Sequence, residues 1–202
     1  GAGLRAENEM SFNLGTGAQA AKLTKSMERT FGYQIRPYFG GYYLMTIPHL
    51  PSGRAMNVYF RFIKEMLERF GLKMGEEEIW KGILEAEKHA EDTEIRCDLS
   101  FFENPLTLSD RGSIENIGEY ELTMGNLFRA VFRQMADNFG EAADRLCSDR
   151  EKIQKLIFSG GIARRMEAVR NRIIERYGEN INYSVAQDET LQGLYIYSGE
   201  GQ

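Results

Sequence analysis

The order of candidate strands and helices constrains the fold of this chain more than any other feature of its sequence. Alternating apolar and polar residues predict several strands before any helix appears. These strands are Met10–Leu14, Ala18–Thr24, Gln34–Tyr38 and Tyr42–Ile47, with glycine turns at Gly15–Gly17 and Gly40–Gly41. Helices and strands then alternate along the rest of the chain. This order predicts an α/β fold with a mixed β-sheet flanked by helices.

Two helices are predicted after the prolines that end the strand region. Ser52 is a suitable N-cap for the first helix, Gly71 ends it, and the second helix covers Glu76–Glu91. In the first helix, a spacing of four residues places Val58, Phe62, Met66 and Phe70 on one face. In the second helix, the residues predicted to point inward are Ile79, Ile83 and Leu84.

The C-terminal part continues the alternation of helices and strands. Thr123 is predicted to cap a long helix, and Ala163–Tyr177 and Asp188–Tyr197 are predicted as further helices. The long helix carries an apolar stripe of Leu127, Phe128, Val131, Phe132, Met135 and Phe139. The buried strand Ile153–Phe158 leads directly into a glycine pair, and Ile181–Val185 is predicted as one more strand.

Composition excludes several classes of protein. A chain of 202 residues can bury one sizeable core, and a single domain spanning residues 1–202 is expected. The net charge of −5 is spread without a basic stripe, so we do not expect binding to nucleic acid. No run of about 18 apolar residues is present to span a membrane. Cys97 and Cys147 stand far apart and the chain has two histidines, so we expect no metal site and a reducing, cytoplasmic location.

Gly15–Thr16–Gly17 is the first candidate binding segment. Two glycines leave backbone N–H groups open to an anion, and the threonine hydroxyl adds a donor, a set that suits a phosphate tail. The alternative is a hairpin turn that needs glycine only for its backbone angles, and the tripeptide alone favours this turn.

Ser159–Gly160–Gly161 is the second candidate, because a strand meets a helix there. Such a junction turns unpaired N–H groups toward the carboxyl edge of the sheet, where Arg165 could reach a bound ring. The alternative is close packing of helix on sheet. Gly53 and Asn57, one helical turn apart, form a third candidate that could approach a ribose or base.

Two acidic positions near strand ends could coordinate Mg²⁺ through water or act as a base. These are Asp98 and the Asp188–Glu189 pair. The favoured interpretation is a helix cap, because such carboxylates more often cap helices, and Asp188 stands directly before Glu189–Thr190 at the predicted start of a helix.

Taken in order, the segments of this chain resemble the C-terminal domain of FGGY carbohydrate kinases, with features of the sedoheptulokinase-like members. The segments are Leu14–Gly17, Ser52–Gly53, Arg111–Ile114, Leu127–Ala130, Ser159–Ala163 and Glu189–Thr190. The resemblance covers most of the chain, from Met10 to about Tyr197. It implies one lobe of the actin-like, ribonuclease H-like ATPase fold.

The resemblance also implies roles for the candidate residues in binding ATP with Mg²⁺. Gly15, Thr16 and Gly17 would contact the β- and γ-phosphates. Gly53 and Asn57 would lie near the ribose and phosphates. Gly160, Gly161 and Arg165 would hold the adenosine, with Arg165 stacking on the base where the family often has asparagine. We expect these three groups of residues to converge on one crevice.

The resemblance assigns the family's general base and sugar-binding lobe to positions outside these 202 residues. In the family, the catalytic Asp lies about 20 residues before the glycine–threonine loop, just upstream of Gly1 here. We therefore expect no catalytic residue in this chain, weak or undetectable ATP binding and no activity by itself. The sugar would be held by the absent N-terminal lobe, and an exposed apolar docking face could support self-association. The alternative is a non-catalytic, actin-like module for interaction or assembly.

Overall fold

The computed structural model describes residues 3–27, 32–178 and 180–186, and the chain divides into two compact units. The first unit combines Gly1–Leu50 with Ala136–Gln202, and the second is Pro51–Met135. In chain order the described strands and helices are β1 (Glu9–Asn13), β2 (Gln19–Thr24), β3 (Gln34–Pro37), β4 (Tyr43–Pro48), α1 (Gly53–Arg69), α2 (Glu76–Lys88), β5 (Arg96–Asp98), β6 (Ser113–Glu115), α3 (Met124–Leu146), β7 (Lys155–Ser159), α4 (Gly161–Arg165), α5 (Glu167–Glu175) and β8 (Asn182–Val185). The helix predicted at Asp188–Tyr197 lies outside the described residues.

A six-stranded mixed sheet organises the first unit. Its strand order is β3-β4-β2-β1-β7-β8. Neighbouring strands among β1 to β4 are antiparallel, whereas β7 runs parallel to both β1 and β8. The mixed sheet flanked by helices that the sequence predicts is therefore confirmed. Because β1 and β7 are parallel neighbours, their carboxyl ends lie side by side at one edge of the sheet.

Alternation along the central strands gives the sheet two apolar faces. On one face, Phe12 of β1 stacks against Phe158 of β7, with ring centroids 5.4 Å apart, and meets Phe139 of α3 edge-on at 6.1 Å. On the other face, Ala21, Leu23 and Ile157 form a buried cluster with Leu4. Burial on both faces stabilises the central strands, at roughly 25 cal/mol for each Å² of apolar surface removed from water.

The second unit contains α1, α2, the β5–β6 ladder and the first half of α3. Phe60 of α1 stacks on Trp80 of α2, and Phe128 of α3 meets Trp80 edge-on. Ile79 and Ile83 are buried as predicted for the second helix, and Leu84 is half-buried. Arg133 of α3 donates hydrogen bonds to the backbone carbonyls of Thr93 and Ile95, which fixes the segment leading into β5.

The apolar face predicted for the first helix is wrong. Phe62, Met66 and Phe70 are exposed. The buried residues of α1 are instead Ala55, Met56, Tyr59 and Phe60. This set follows the helical repeat of 3.6 residues at its start, where the helix packs on its own unit. In the C-terminal half of α1, apolar residues recur every four residues but stay exposed.

Local signals at helix ends were partly correct. Thr123 caps α3 as predicted, with its Oγ1 accepting the N–H of Asn126 at 3.1 Å. Ser52 holds the N-cap position of α1, but its hydroxyl is directed to the sulfur of Met135 at 3.7 Å and makes no cap bond. Gly71 follows the end of α1 with a φ of 77°, as expected of a terminating glycine.

The single helix predicted at Ala163–Tyr177 is broken in two. Met166, between α4 and α5, has φ −115° and ψ 83°, which interrupts the helix. The Nη1 of Arg170 donates to the carbonyl of Ala163 at 2.7 Å across this break. The side chain of Arg170 is only 11% exposed. The break is therefore held by a largely buried arginine side chain.

Candidate functional site

The two glycine segments of the first unit meet at the carboxyl edge of its sheet. Asn13 and Ser159, the last residues of β1 and β7, are partners in the parallel register. The N–H of Leu14 donates to the carbonyl of Ser159 at 2.8 Å, and the N–H of Ile162 donates back to the carbonyl of Leu14 at 3.1 Å. These two bonds join the start of the Gly15–Gly17 turn to the start of α4. The place where Gly15–Gly17 and Ser159–Gly161 meet is called the glycine corner.

Gly160 is required by the fold itself. Its φ of 91° and ψ of 162° lie in a region that residues with a side chain rarely adopt. A Cβ on Gly160 would stand 2.4 Å from the carbonyl oxygen of Leu14 and 3.1 Å from the nitrogen of Gly15. The alternative of close packing therefore explains this glycine.

Gly17 and Gly161 differ from Gly160, because the fold does not require glycine at either position. A Cβ built on Gly17 or on Gly161 meets no atom within 4 Å, and neither residue has a positive φ. Thr16 and Gly17 are exposed beside this open space. The absence of side chains here leaves room for a ligand to approach the backbone closely.

Arg165 occupies the end of α4 and is exposed. The helix that carries it starts at Gly161, and Arg170 anchors it through the carbonyl of Ala163. Arg170 also lies 3.4 Å from the carboxylate of Glu167. A buried guanidinium bound to a carbonyl and a carboxylate restricts the motion of α4 and so helps to set where Arg165 can reach.

Gly53 and Asn57 belong to the second unit, and their predicted role at a nucleotide stays a prediction. Gly53 is the first residue of α1, and Asn57 is exposed one turn later. Asn57 lines an open hollow of about 590 Å³ within this unit. The lining is completed by Arg54, Phe60, Arg61, Lys64, Glu76 and Trp80. Sequence reasoning missed this hollow, although Arg54, Arg61 and Lys64 recur near Asn57 at helical spacing.

The electrostatics of the hollow are dominated by cations. Lys64 is paired with Glu76 at 2.9 Å, and this hydrogen bond raises the pKa of the Lys64 ammonium. Arg54 lies over the ring of Phe102, with its Cζ 4.3 Å from the ring centroid. Within the described part of the chain, neither Arg54 nor Arg61 has a carboxylate within ion-pair distance.

The acidic candidate that the structure describes has a local role. The Oδ1 of Asp98 accepts the backbone N–H of Ser100 at 2.9 Å and its hydroxyl at 2.5 Å. The helix cap favoured from the sequence is therefore wrong for Asp98, which closes a turn directly after β5 instead. The Asp188–Glu189 pair lies outside the described residues. Across residues 3–27, 32–178 and 180–186, no group of three or more His, Cys, Asp or Glu side chains could hold a metal ion.

Two further observations concern the cysteines and the helices. Cys97 and Cys147 are free thiols. Among the described helices, none combines the length and the apolar character that crossing a membrane requires.

Comparison with known proteins identifies the fold. No protein-family model and no curated protein sequence matches the chain significantly. Among solved structures, xylulose kinase from Rhodospirillum rubrum aligns with a TM-score of 0.78 and 14% identity, covering 100% of this chain and 40% of that one. Ligand-bound xylulose kinase from Lactobacillus acidophilus aligns with a TM-score of 0.74 and 15% identity, covering 97% and 40%. Glycerol kinase from Plasmodium falciparum, solved with ADP, gives 0.65 and 16%, covering 92% and 36%.

These alignments confirm the fold class predicted from the sequence. The chain has the actin-like ATPase fold of part of these kinases, and it spans about two fifths of their length. The predicted resemblance to FGGY carbohydrate kinases is thus confirmed at the level of the fold. At such low identities the likeness does not transfer an activity or a set of binding residues.

Proposed function

We propose that this chain is the nucleotide-binding lobe of a carbohydrate kinase, which binds ATP with Mg²⁺ while a second lobe holds the sugar. The observation that carries the proposal is the meeting of two glycine segments at the carboxyl ends of the adjacent parallel strands β1 and β7. In open α/β sheets, ligands bind outside the carboxyl ends of the strands. The fold shared with xylulose, gluconate and glycerol kinases supports the same proposal.

The residues at this edge fit the chemistry of ATP. Thr16 offers an exposed hydroxyl between two glycines, a suitable arrangement for phosphate oxygens. Gly161 leaves its backbone face open, with no atom within 4 Å of a would-be Cβ, so a flat base could lie against it. Arg165, at the end of α4, could then cover the base by stacking. Each of these groups binds or orients the nucleotide.

The chemical work proposed for this lobe is positioning. Phosphoryl transfer depends on in-line placement and on neutralising phosphate charge more than on covalent help from the protein. Mg²⁺ bound to the phosphates would supply part of that neutralisation. The general base and the sugar contacts are not assigned to any residue of this chain. Closure of the two lobes would exclude water from the transferred phosphoryl group.

A second candidate is a non-catalytic, actin-like module for interaction or assembly. The observation that favours it is the exposed apolar face of α1, where Phe62 is 58% exposed and Phe70 is 82% exposed. Exposed apolar patches commonly mark sites of protein interaction. The two candidates differ at the nucleotide, because only the kinase lobe requires ATP at the glycine corner.

The test is a titration of the ¹⁵N-labelled chain, of 23.1 kDa, with MgATP, followed by two-dimensional NMR of the backbone amides. This method detects weak binding, which suits the low affinity expected of one lobe. The expected result is a set of shift changes concentrated at Gly15, Thr16, Gly17 and Gly161. Unchanged amides at this corner with ATP in the millimolar range would contradict the kinase proposal and leave the interaction module.

A matched pair of variants separates binding from folding. Gly161→Leu fills the open space at the corner and is expected to abolish the ATP-induced shifts. Gly82→Leu is the control, because Gly82 also has nothing within 4 Å of a would-be Cβ but lies in α2 of the second unit. Equal effects of the two substitutions on ATP binding would show that the corner is not the binding site.

A further inference from the structure

The hollow in the second unit has the dimensions of a binding site for a small molecule. Its volume of about 590 Å³ is within the range of roughly 300–1,000 Å³ found for ligand pockets. One wall is formed by a different face of α1 from the exposed apolar one, with Arg54, Asn57, Arg61 and Lys64. The other wall is formed by Glu76 and Trp80 of α2. All its lining residues lie within Pro51–Met135, so the hollow belongs to one compact unit.

The charges that line the hollow do not balance. Three cations, Arg54, Arg61 and Lys64, face a single carboxylate, Glu76. Lys64 and Glu76 neutralise each other through their 2.9 Å ion pair. Two guanidinium groups therefore remain without a carboxylate among the described residues. Cations on a helix are most often solvated, but these two share one concave surface.

The donors of the hollow are partly held in place. The Nε of Arg61 donates to the carbonyl of Asn57 at 3.2 Å, which leaves its two Nη groups for other acceptors. Arg54 rests on the ring of Phe102 and makes no hydrogen bond with a described residue that would use up its fork. Trp80 is half-buried and stacks on Phe60 at 4.8 Å with 7° between the rings, so the aromatic wall is firmly packed.

We propose that this hollow is a binding site for a phosphate group, held by the guanidinium groups of Arg54 and Arg61. The planar guanidinium group matches the oxygen geometry of phosphate. A phosphate dianion balances the charge of both guanidinium groups, whereas a carboxylate would balance the charge of only one. The group could be free phosphate or part of a phosphorylated small molecule. The inference uses residues of the second unit alone and does not depend on binding at the glycine corner. Asn57, which the family resemblance places near the nucleotide, also lines the hollow, so ATP is one of the phosphate compounds to be tested.

Trp80 provides a direct readout, because it is the only tryptophan in the sequence and lines the hollow. Inorganic phosphate is titrated into the chain while its fluorescence is recorded, with sodium chloride of matched ionic strength as the salt control. Saturable change with phosphate, and none with chloride, is the expected result. No difference between the two salts would overturn the proposal.

Arginine substitutions locate the binding groups. Arg61→Gln removes a charge from the hollow and is expected to weaken phosphate binding by about tenfold or more, the usual value of a charge-assisted hydrogen bond. Arg69→Gln is the matched control, an exposed arginine of the same helix that pairs with Glu65 and does not line the hollow. Circular dichroism checks that both variants fold. Similar affinities for the two variants would refute the assignment.

A third experiment distinguishes free phosphate from nucleotide phosphate as the ligand. ATP and inorganic phosphate are each titrated into the Gly161→Leu variant. A phosphate response that survives in this variant supports a site built from second-unit residues alone. An ATP response at Trp80 that also survives, and is lost in Arg61→Gln, identifies nucleotide phosphate as a ligand of the hollow. Loss of the phosphate response in Gly161→Leu would overturn the inference while leaving the nucleotide proposal standing.

Discussion

Replacing Gly160 with alanine should destabilise the first unit severely, although the change adds a single methyl group. The φ of 91° and ψ of 162° place Gly160 in a region used almost only by glycine, where a side chain costs about 1–3 kcal/mol. The added Cβ would also stand 2.4 Å from the carbonyl oxygen of Leu14. That oxygen belongs to backbone and cannot rotate away as a side chain would.

Relief of the clash would disturb the hydrogen bonds that join β1 to the start of α4. The carbonyl of Leu14 accepts the N–H of Ile162, and its own N–H is held by Ser159. Loss of one such bond costs about 1 kcal/mol. The total is about 2–4 kcal/mol, which for a chain of this size corresponds to a fall in Tm of roughly 5–15 °C.

Urea and thermal unfolding, followed by far-UV circular dichroism, measure this loss. Gly161→Ala is the matched control, because its added methyl meets no atom within 4 Å and its φ is not positive. Alanine also favours a helix over glycine, so Gly161→Ala should change stability by less than about 1 kcal/mol. If Gly160→Ala unfolds at the same temperature and urea concentration as Gly161→Ala, the steric argument for the corner is refuted.

Three further predictions concern other contacts. Arg170→Met removes the bond to α4, and it should lower stability by about 2–3 kcal/mol and increase amide exchange in α4, measured by hydrogen exchange; unchanged exchange would contradict the anchoring role. Hydrogen bonding from Arg150, and then from Arg176, holds the pKa of Asp144 below its ordinary value, so the stabilisation it provides is present above the unfolded pKa and is lost as pH falls through the folded pKa. Asp144→Asn should therefore lower the free energy of unfolding by about 1 kcal/mol at neutral pH, and its stability should fall less on acidification than that of the unmodified chain. Urea titrations at several pH values measure both. Stability that falls equally with pH in the two proteins would contradict this. Phe70→Asp, at the exposed apolar face of α1, should reduce self-association in light scattering at high concentration without lowering Tm; an unchanged mass would exclude this face.

The sheet edge could be predicted because its signals are local. Strand alternation, the glycines that follow each strand and the helix after Gly161 all lie within short segments. The parallel pairing of β1 with β7 brings residues that are far apart in sequence to one edge, and an α/β order of elements predicts this kind of pairing. The fold class therefore followed from local sequence patterns, whereas the meeting of glycine segments was expected only from the family resemblance.

The errors have a common cause, since each depends on a partner that the local pattern does not show. The helix break at Met166 is held by Arg170, whose bond to the carbonyl of Ala163 no local pattern shows. The exposed fourfold stripe of α1 has the same spacing as a buried one, and periodicity does not show what lies opposite. The hollow of the second unit arises only when α1 lies beside Glu76 and Trp80 of α2.

The glycines of the corner show why the two explanations proposed for them, packing and ligand binding, need not compete. Gly160 fails both steric criteria for a side chain, so the fold alone accounts for it. A Cβ on Gly17 or Gly161 would meet no atom within 4 Å, and neither residue has a positive φ, so the fold gives no steric reason for glycine at either position. A ligand that approaches the backbone closely would give a reason for glycine at both positions. We therefore expect substitutions at Gly17 and Gly161 to weaken ATP binding before they affect folding.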